Sequence, residues 1–299
     1  MKPQGSGRKA KTQRAKTRLL AFAVLICALA AGNILAQSDL AALAAQIERG
    51  DSEQKRSALL QIRNLQTPEA ARLAVSALRD KAEIVRASAA QSVVYLPPAE
   101  AVRALLPLLT DKKPFVRREA AYALGAIGDS TAVGSLIETI RKDKAQEVRD
   151  AATAALGAIG DVSAVTALTE ILRRRPKAKE EFMRRAAARS IGQIAQIKQI
   201  GIRRVQTPRT APIAQLAVAG FSQYLNLSEI NPTFRQAVGV LIGSLQAKNE
   251  FPDVRREAAF ALGAIGDSAA IPVLQANSNA EDYYLARICR ESLAVINNR

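Results

Sequence analysis

Three near-copies of one segment constrain this chain more than any other feature. The stretch from Arg117 to Ile140, RREAAYALGAIGDSTAVGSLIETI, has its first part repeated as VRDAATAALGAIGD from Val148 and as VRREAAFALGAIGD from Val254. Copies of this kind signal a repeat array in which each unit is one supersecondary element. Within a copy, Val116, Ala120, Ala123, Leu124 and Ile127 fall at i, i+4, i+7, i+8 and i+11, the apolar stripe of an amphipathic helix. Gly128 then predicts a left-handed C-cap, and Asp129 an N-cap for a second helix carrying Val133, Leu136, Ile137 and Ile140. Gly160 with Asp161 and Gly266 with Asp267 predict the same turn. Ala120, Ala121, Ala123, Gly125 and Ala126 let a neighbouring helix approach closely. So thin a hairpin buries its faces only when copies stack. The expected fold is all-α, an α-solenoid of about seven helical hairpins.

The order of repeats follows from the same spacing. A short helix from Asp39 to Glu48, capped by Ser38 and ending at Gly50, is expected to cover the end of the stack. First helices begin at Gln54, Val85, Val116 and Val148, so residues 51–175 form a regular half. Thr67 with Pro68, and Pro97 with Pro98, mark the turns of its first two repeats. A fifth first helix begins near Met183. Residues 196–212, polar, basic and bearing two prolines, read as an inserted loop before a helix from Ala211 to Leu225. In the C-terminal repeats, 232–299, TFRQAVGVLIGSL from Thr233 matches the first-helix pattern, with Phe234 aligned on Val254 and Gly243 on Gly263. The Val254 copy follows after only about six residues. Either a second helix is shortened away or the helix parity slips. LARICRESLAVI from Leu285 closes the array and aligns Cys289 with Ala258.

Residues 1–36 have a different character. Seven Lys or Arg and no acid precede an apolar run over 19–35, and Ile34 and Ala36 stand before Gln37. This is the order of a secretory signal peptide cleaved after Ala36, with an uncleaved membrane anchor as the rival. Either predicts export, periplasmic or secreted, with 37–299 as the repeat domain. Cys27 lacks the small preceding residues of a lipidation site. Cys289 alone remains in the mature chain, so no internal disulfide is expected.

The chain has no His and no Trp, which excludes His-assisted acid–base catalysis, Ser-His triads and Cys/His zinc sites. No catalytic, metal or cofactor-binding residue is expected. The repeated Arg117, Arg149 and Arg255 lie about 18 Å from the Asp of their own turn, too far to pair with it. They are expected among first-turn polar residues, against Glu147, Asp150 or Glu119. The Asp residues are expected as caps.

LGAIGD at 124–129, 156–161 and 262–267, each copy preceded by Val-Arg, resembles the HEAT-like repeat of the phycobilin-lyase type. The resemblance covers roughly residues 50–299. It implies the solenoid and says little of activity, since that family spans bilin lyases, deoxyhypusine hydroxylases, DNA glycosylases and scaffolds. The hydroxylases hold iron through His-Glu pairs, which a chain without His cannot form. A surface lined by second helices, here Thr131, Ser135, Glu138, Thr166, Thr169 and Glu170, is what the resemblance implies for recognition.

Charge is the remaining signal. The formal net charge is +16, and residues 173–209 hold twelve Lys or Arg against Glu180 and Glu181. With 1–36 removed the net charge is +9; residues 173–209 contribute +10, so the remainder of the chain is near neutral. Arg173, Arg174, Arg175, Lys198, Arg203, Arg204 and Arg209 are therefore the expected partner-binding residues, presented by an insertion on a rigid scaffold. Phe182 is expected to face the core. The expected function is an exported, non-catalytic scaffold for a protein partner, acidic in character, or for anionic lipid or an anionic envelope polymer. An accessory lyase or chaperone-like enzyme is the alternative. Nucleic-acid binding ranks third, since aromatic residues for base stacking are lacking.

Overall fold

A computed structural model describes residues 39–200 and 225–297. The basic and apolar segments of 1–36, the cleavage place after Ala36, Ser38, Arg203, Arg204, Arg209 and all but the last residue of the helix expected over 211–225 lie outside them. Leu225 itself is not helical.

Fifteen α-helices and no strand occur among the described residues. They are α1 over 39–49, α2 Ser52–Leu65, α3 Pro68–Leu73, α4 Glu83–Ser92, α5 Pro98–Leu105, α6 Pro114–Ile127, α7 Val133–Lys142 and α8 Gln146–Ile159. The remainder are α9 Val165–Arg173, α10 Glu181–Ile200, α11 Leu227–Ile230, α12 Pro232–Gln246, α13 Pro252–Ile265, α14 Ile271–Ala276 and α15 Tyr283–Asn297. Helices α2, α4, α6, α8, α10, α13 and α15 pack in succession as one layer, and α3, α5, α7, α9, α12 and α14 form the second. The chain is an α-solenoid of seven first-layer helices, the last without a second helix after it among the described residues.

The turn chemistry is local. Gly128, Gly160 and Gly266 have φ of 69°, 79° and 78°, where a Cβ is strained. The Asp129 side chain accepts from Thr131 N–H, Asp161 from Ser163 and Asp267 from Ala269, each opening a 3₁₀ turn that leads into the second helix. In the first repeat Gln66, at φ 55°, does the work of the glycine. Thr67 then caps α3 through Ala70 N–H.

First-layer helices approach closely because small residues meet across them. A Cβ on Gly125 would lie 2.8 Å from Ala155 Cα, and one on Gly192 would lie 2.6 Å from the Phe260 ring. Serine hydroxyls join the layer through buried backbone carbonyls: Ser92 donates to Leu59 O, Ser190 to Thr153 O and Ser292 to Ala259 O, each at 3.0 Å. Giving each buried serine hydroxyl an acceptor avoids a penalty of about 1–3 kcal/mol for an unpaired donor.

The parity question is answered by packing. Helix α10 lies directly on α13, while α12 sits in the second layer against α9 and α13. Its apolar stripe, Phe234, Ala237, Val238, Leu241 and Leu245, would serve either layer, which is why it aligns with a first helix. Gly243 shows the difference: nothing lies within 4 Å of its would-be Cβ, whereas a Cβ on the aligned Gly263 would meet Ser292 Oγ at 2.4 Å. The fifth repeat is therefore α10 with α12, and residues 201–224 fall between them.

Residues 196–200 do not belong to a loop. They complete α10, with Gln196 buried. The Gln199 amide donates to Leu225 O at 2.6 Å and accepts from Leu225 N at 3.0 Å. The two ends of the intervening segment thus meet beside the stack and do not divide it.

Candidate functional site

Every repeat up to the fifth, and again the sixth, carries a base one residue after the first-helix start: Lys55, Arg86, Arg117, Arg149, Arg184 and Arg255. None of the Arg117 partners anticipated from sequence is the partner found. Arg117 binds Asp143 through both Nε (2.6 Å) and Nη2 (2.8 Å), and Arg86 binds Asp111 in the same bidentate way, at 2.7 and 2.8 Å. Lys55 reaches Asp80 at 2.7 Å. These acids stand three residues before the next first-layer helix. They lie 25 or 26 residues from their base, a separation that only stacking closes.

The pairs form a continuous ladder. Asp80, Asp111 and Asp143 each use one carboxylate oxygen to accept from the N–H two residues on, Ala82, Lys113 and Ala145. Their carbonyls accept from the base of the following repeat, Arg86, Arg117 and Arg149, at 2.9, 2.8 and 2.7 Å. Burial opposes ionisation of all three carboxyls, but the hydrogen bonds and charges of their bases outweigh it and hold them below the usual carboxylate range.

The ladder breaks after Arg149. The aligned place for its acid is Ala178, in the sequence Arg173-Arg174-Arg175-Pro176-Lys177-Ala178-Lys179. Among the described residues Arg149 makes no ion pair and bonds instead to Gln146 and the Asp143 carbonyl. Arg173, Arg174, Arg175, Lys177 and Lys179 are all exposed and, among the described residues, unpaired. Arg184 closes the turn by donating to the carbonyls of Ile171 (3.0 Å), Leu172 (3.2 Å) and Arg174 (2.7 Å) at the end of α9. Five cations thus project from a turn whose backbone is fixed from below.

The rest of the basic stretch is divided. Arg184, Arg185 and Arg189 pair with Glu250, Asp253 and Glu257 and are structural. Lys198 is exposed on the last turn of α10. Asp161 is held below the usual range first by the Ser163 hydroxyl and N–H, with a smaller contribution from the Lys198 charge. Phe182 does not face the core: it is 45% exposed and Arg185 lies over its ring at 4.9 Å, because Met183 fills the buried place beside it. Thr131, in the 3₁₀ turn before α7, and Thr166, on α9, are exposed; Glu138 pairs with Lys142 and Glu170 with Arg141. Thr169 is not part of that surface, being buried with its hydroxyl on Val165 O. The missing acid at Ala178 was overlooked in the sequence, although aligning Asp80, Asp111 and Asp143 ahead of their helices exposes it.

No curated protein matches the chain. Among solved structures, the chain is similar to human deoxyhypusine hydroxylase in complex with glycerol, at 20% identity over 90% of this chain and 99% of that one, with a TM-score of 0.38. It is also similar to the complex of CpcE and CpcF of phycocyanin lyase from Nostoc sp. PCC7120 (20%, 86% and 91%, TM-score 0.45). A designed armadillo repeat protein in complex with the peptide (KR)4 is similar at 16%, 86% and 99%, with a TM-score of 0.42. The family pattern of HEAT repeats matches residues 71–157, 102–192 and 225–294. With that match over more than half its length, on a ladder of stacked helical hairpins, the chain belongs to the HEAT-repeat family.

Proposed function

We propose that this chain is an exported, non-catalytic HEAT-repeat scaffold that holds an acidic protein partner through the turn 173–179; Lys198, Arg203, Arg204 and Arg209 are the further bases of the same stretch of sequence. One observation carries the reading: where neighbouring repeats place Asp80, Asp111 and Asp143 to neutralise a base, this turn has no acid and five exposed cations. Unpaired cations on a fixed turn raise encounter rates with an acidic surface and need no backbone rearrangement on binding. The basic, apolar and small-residue order of 1–36 supports export.

The test is capture from an envelope fraction, with the retained protein identified, by the native chain and two variants. One carries Arg173→Ser, Arg174→Ser and Arg175→Ser; the other, as control, carries Arg103→Ser and Lys112→Ser, at exposed bases elsewhere. The partner is expected to be acidic, to be lost at high salt, and to be lost from the triple variant alone. Equal capture by all three forms would sink the reading. Cell fractionation that leaves the chain in the cytosol would sink export.

A further inference from the structure

A second site lies on the first layer, away from the basic turn. A cavity of about 500 Å³ opens between α10, α13 and α15, walled by Arg189, Arg256, Glu257, Tyr283, Tyr284 and Arg287. This volume falls in the range of small-ligand sites. Each guanidinium in the wall is already engaged. Arg189 bonds Glu257 Oε1, Arg256 bonds Asp282 (2.9 Å) and Asp253 (2.6 Å), and Arg287 lies 3.6 Å from Glu291.

Glu257 is incompletely served. It is 5% exposed, and its Oε2 accepts no hydrogen bond among the described residues. The third repeat shows what is missing. Glu119, at the same repeat position, has Oε2 served by Gln91 at 2.7 Å and Oε1 by Arg118 at 2.8 Å. Arg189 stands where Gln91 does, and Arg256 stands where Arg118 does, but Arg256 is drawn away by Asp253 and Asp282. The carboxylate is left one donor short, and leaving a buried acceptor unpaired is costly.

The aromatic wall narrows the chemistry of the missing donor. Along this edge guanidinium groups lie over rings: Arg118 over Phe115, Arg185 over Phe182 and Arg256 over Tyr284, at 4.9, 4.9 and 5.5 Å. Tyr283, 66% exposed and edge-on to Tyr284, has no cation over its ring among the described residues. A planar group that stacks on Tyr283 and donates in its own plane to Glu257 would serve both residues of the cavity wall. We infer that this cavity binds a guanidinium group, with Glu257 Oε2 as acceptor and Tyr283 as stacking face. The group belongs either to a free guanidino compound or to an arginine side chain of a peptide.

Calorimetric titration tests this with methylguanidinium and with acetyl-Gly-Arg-Gly-amide, using methylammonium at equal ionic strength as the control. Saturable binding of methylguanidinium is expected, at least tenfold tighter than methylammonium. It should weaken at least tenfold in Glu257→Gln, which keeps the side-chain shape, and in Tyr283→Ala, which alters an exposed position. A peptide that binds at least tenfold tighter than methylguanidinium identifies an arginine side chain as the occupant; equal affinities identify a free compound. Failure of both probes to saturate the native protein overturns the inference. So does equal binding of methylammonium, or undiminished binding by a folded Tyr283→Ala.

Discussion

Arg184 and Glu250 are 66 residues apart in sequence and form an ion pair with side chains only 2% and 1% exposed. The pair joins the start of α10 to the turn between α12 and α13, while the same arginine binds the last carbonyls of α9. It occupies the fifth place in the ladder of bases, with its acid supplied from beyond residues 201–224. The next repeat thus returns a carboxylate to the ladder from two residues before α13, where the earlier acids stand three before their helices.

Removing one member of so buried a pair leaves an uncompensated charge, which costs about 3–5 kcal/mol. Glu250→Ala is expected to lose that much in urea denaturation. The double variant Arg184→Met with Glu250→Leu should recover more than half of it, since apolar replacements of similar volume are often neutral. An unchanged midpoint for Glu250→Ala would show that the three backbone carbonyls alone satisfy Arg184.

The ladder also sets an acid limb. Asp80, Asp111, Asp143 and Asp282 have folded pKa values below their ordinary 3.8, with burial opposing and hydrogen bonds from their bases prevailing. A depressed folded value means that the contribution is present above the unfolded pKa and lost as pH falls through the folded one. Glu257 has the opposite sign, since burial raises it, so its cost appears as pH rises through its folded value. Stability is expected to fall steeply below about pH 4. Asp143→Asn should flatten that limb while lowering stability at pH 7. An unaltered acid limb in this variant would dissociate the ladder from acid unfolding.

Much of this fold was legible in the sequence because its determinants are local. The stripe from Val116 to Ile127, Gly128 in the left-handed region and Asp129 on Thr131 N–H all lie within one copy. What escaped notice depends on residues from other repeats. Asp143 becomes the partner of Arg117 only after stacking, and α12 takes its layer from contact with α9. Gln66 adopts the left-handed conformation without a glycine to announce it. The basic stretch appeared uniform, yet its three α10 arginines, Arg184, Arg185 and Arg189, are neutralised by acids 66 or 68 residues away. The Glu257 cavity draws on three helices far apart in sequence.

Two glycines three residues apart should respond differently to alanine. Gly125→Ala gains about 1 kcal/mol of helix propensity. Its Cβ, however, meets the Ala155 backbone at 2.8 Å, so α6 and α8 must separate, and the net effect is a loss of about 1–2 kcal/mol. Gly128→Ala is expected to cost about 1–2 kcal/mol through the positive φ of 69°. Gly128→Asn, which tolerates that conformation better, should recover part of the loss in thermal melts, whereas no polar residue at 125 should do so. Equal rescue at both positions would contradict the assignment.

Cys289 offers a probe of the last repeat. Its thiol is fully buried in α15, and burial pushes its pKa up to about 12, with Arg255 and Arg290 only partly offsetting this. At pH 8 the thiolate fraction is then on the order of one in ten thousand, and the reactive form is the thiolate. Iodoacetamide at pH 8 should leave the Cys289 peptide unmodified for hours in the native chain and alkylate it within minutes in urea, as read by peptide mass spectrometry, which separates it from Cys27. Because Cys289 aligns with Ala258, Cys289→Ala should cost no more than about 1 kcal/mol, the loss of one buried sulfur contact. Rapid native alkylation would mean that α15 opens on its own. Among the described residues α15 packs on α13 and α14, and local opening is easiest where few packed contacts oppose it. The serine bond from Ser292 to Ala259 O is the contact that resists it, so Ser292→Ala should speed alkylation of Cys289 at least tenfold while leaving Ser92 and Ser190 in the interior of the stack undisturbed.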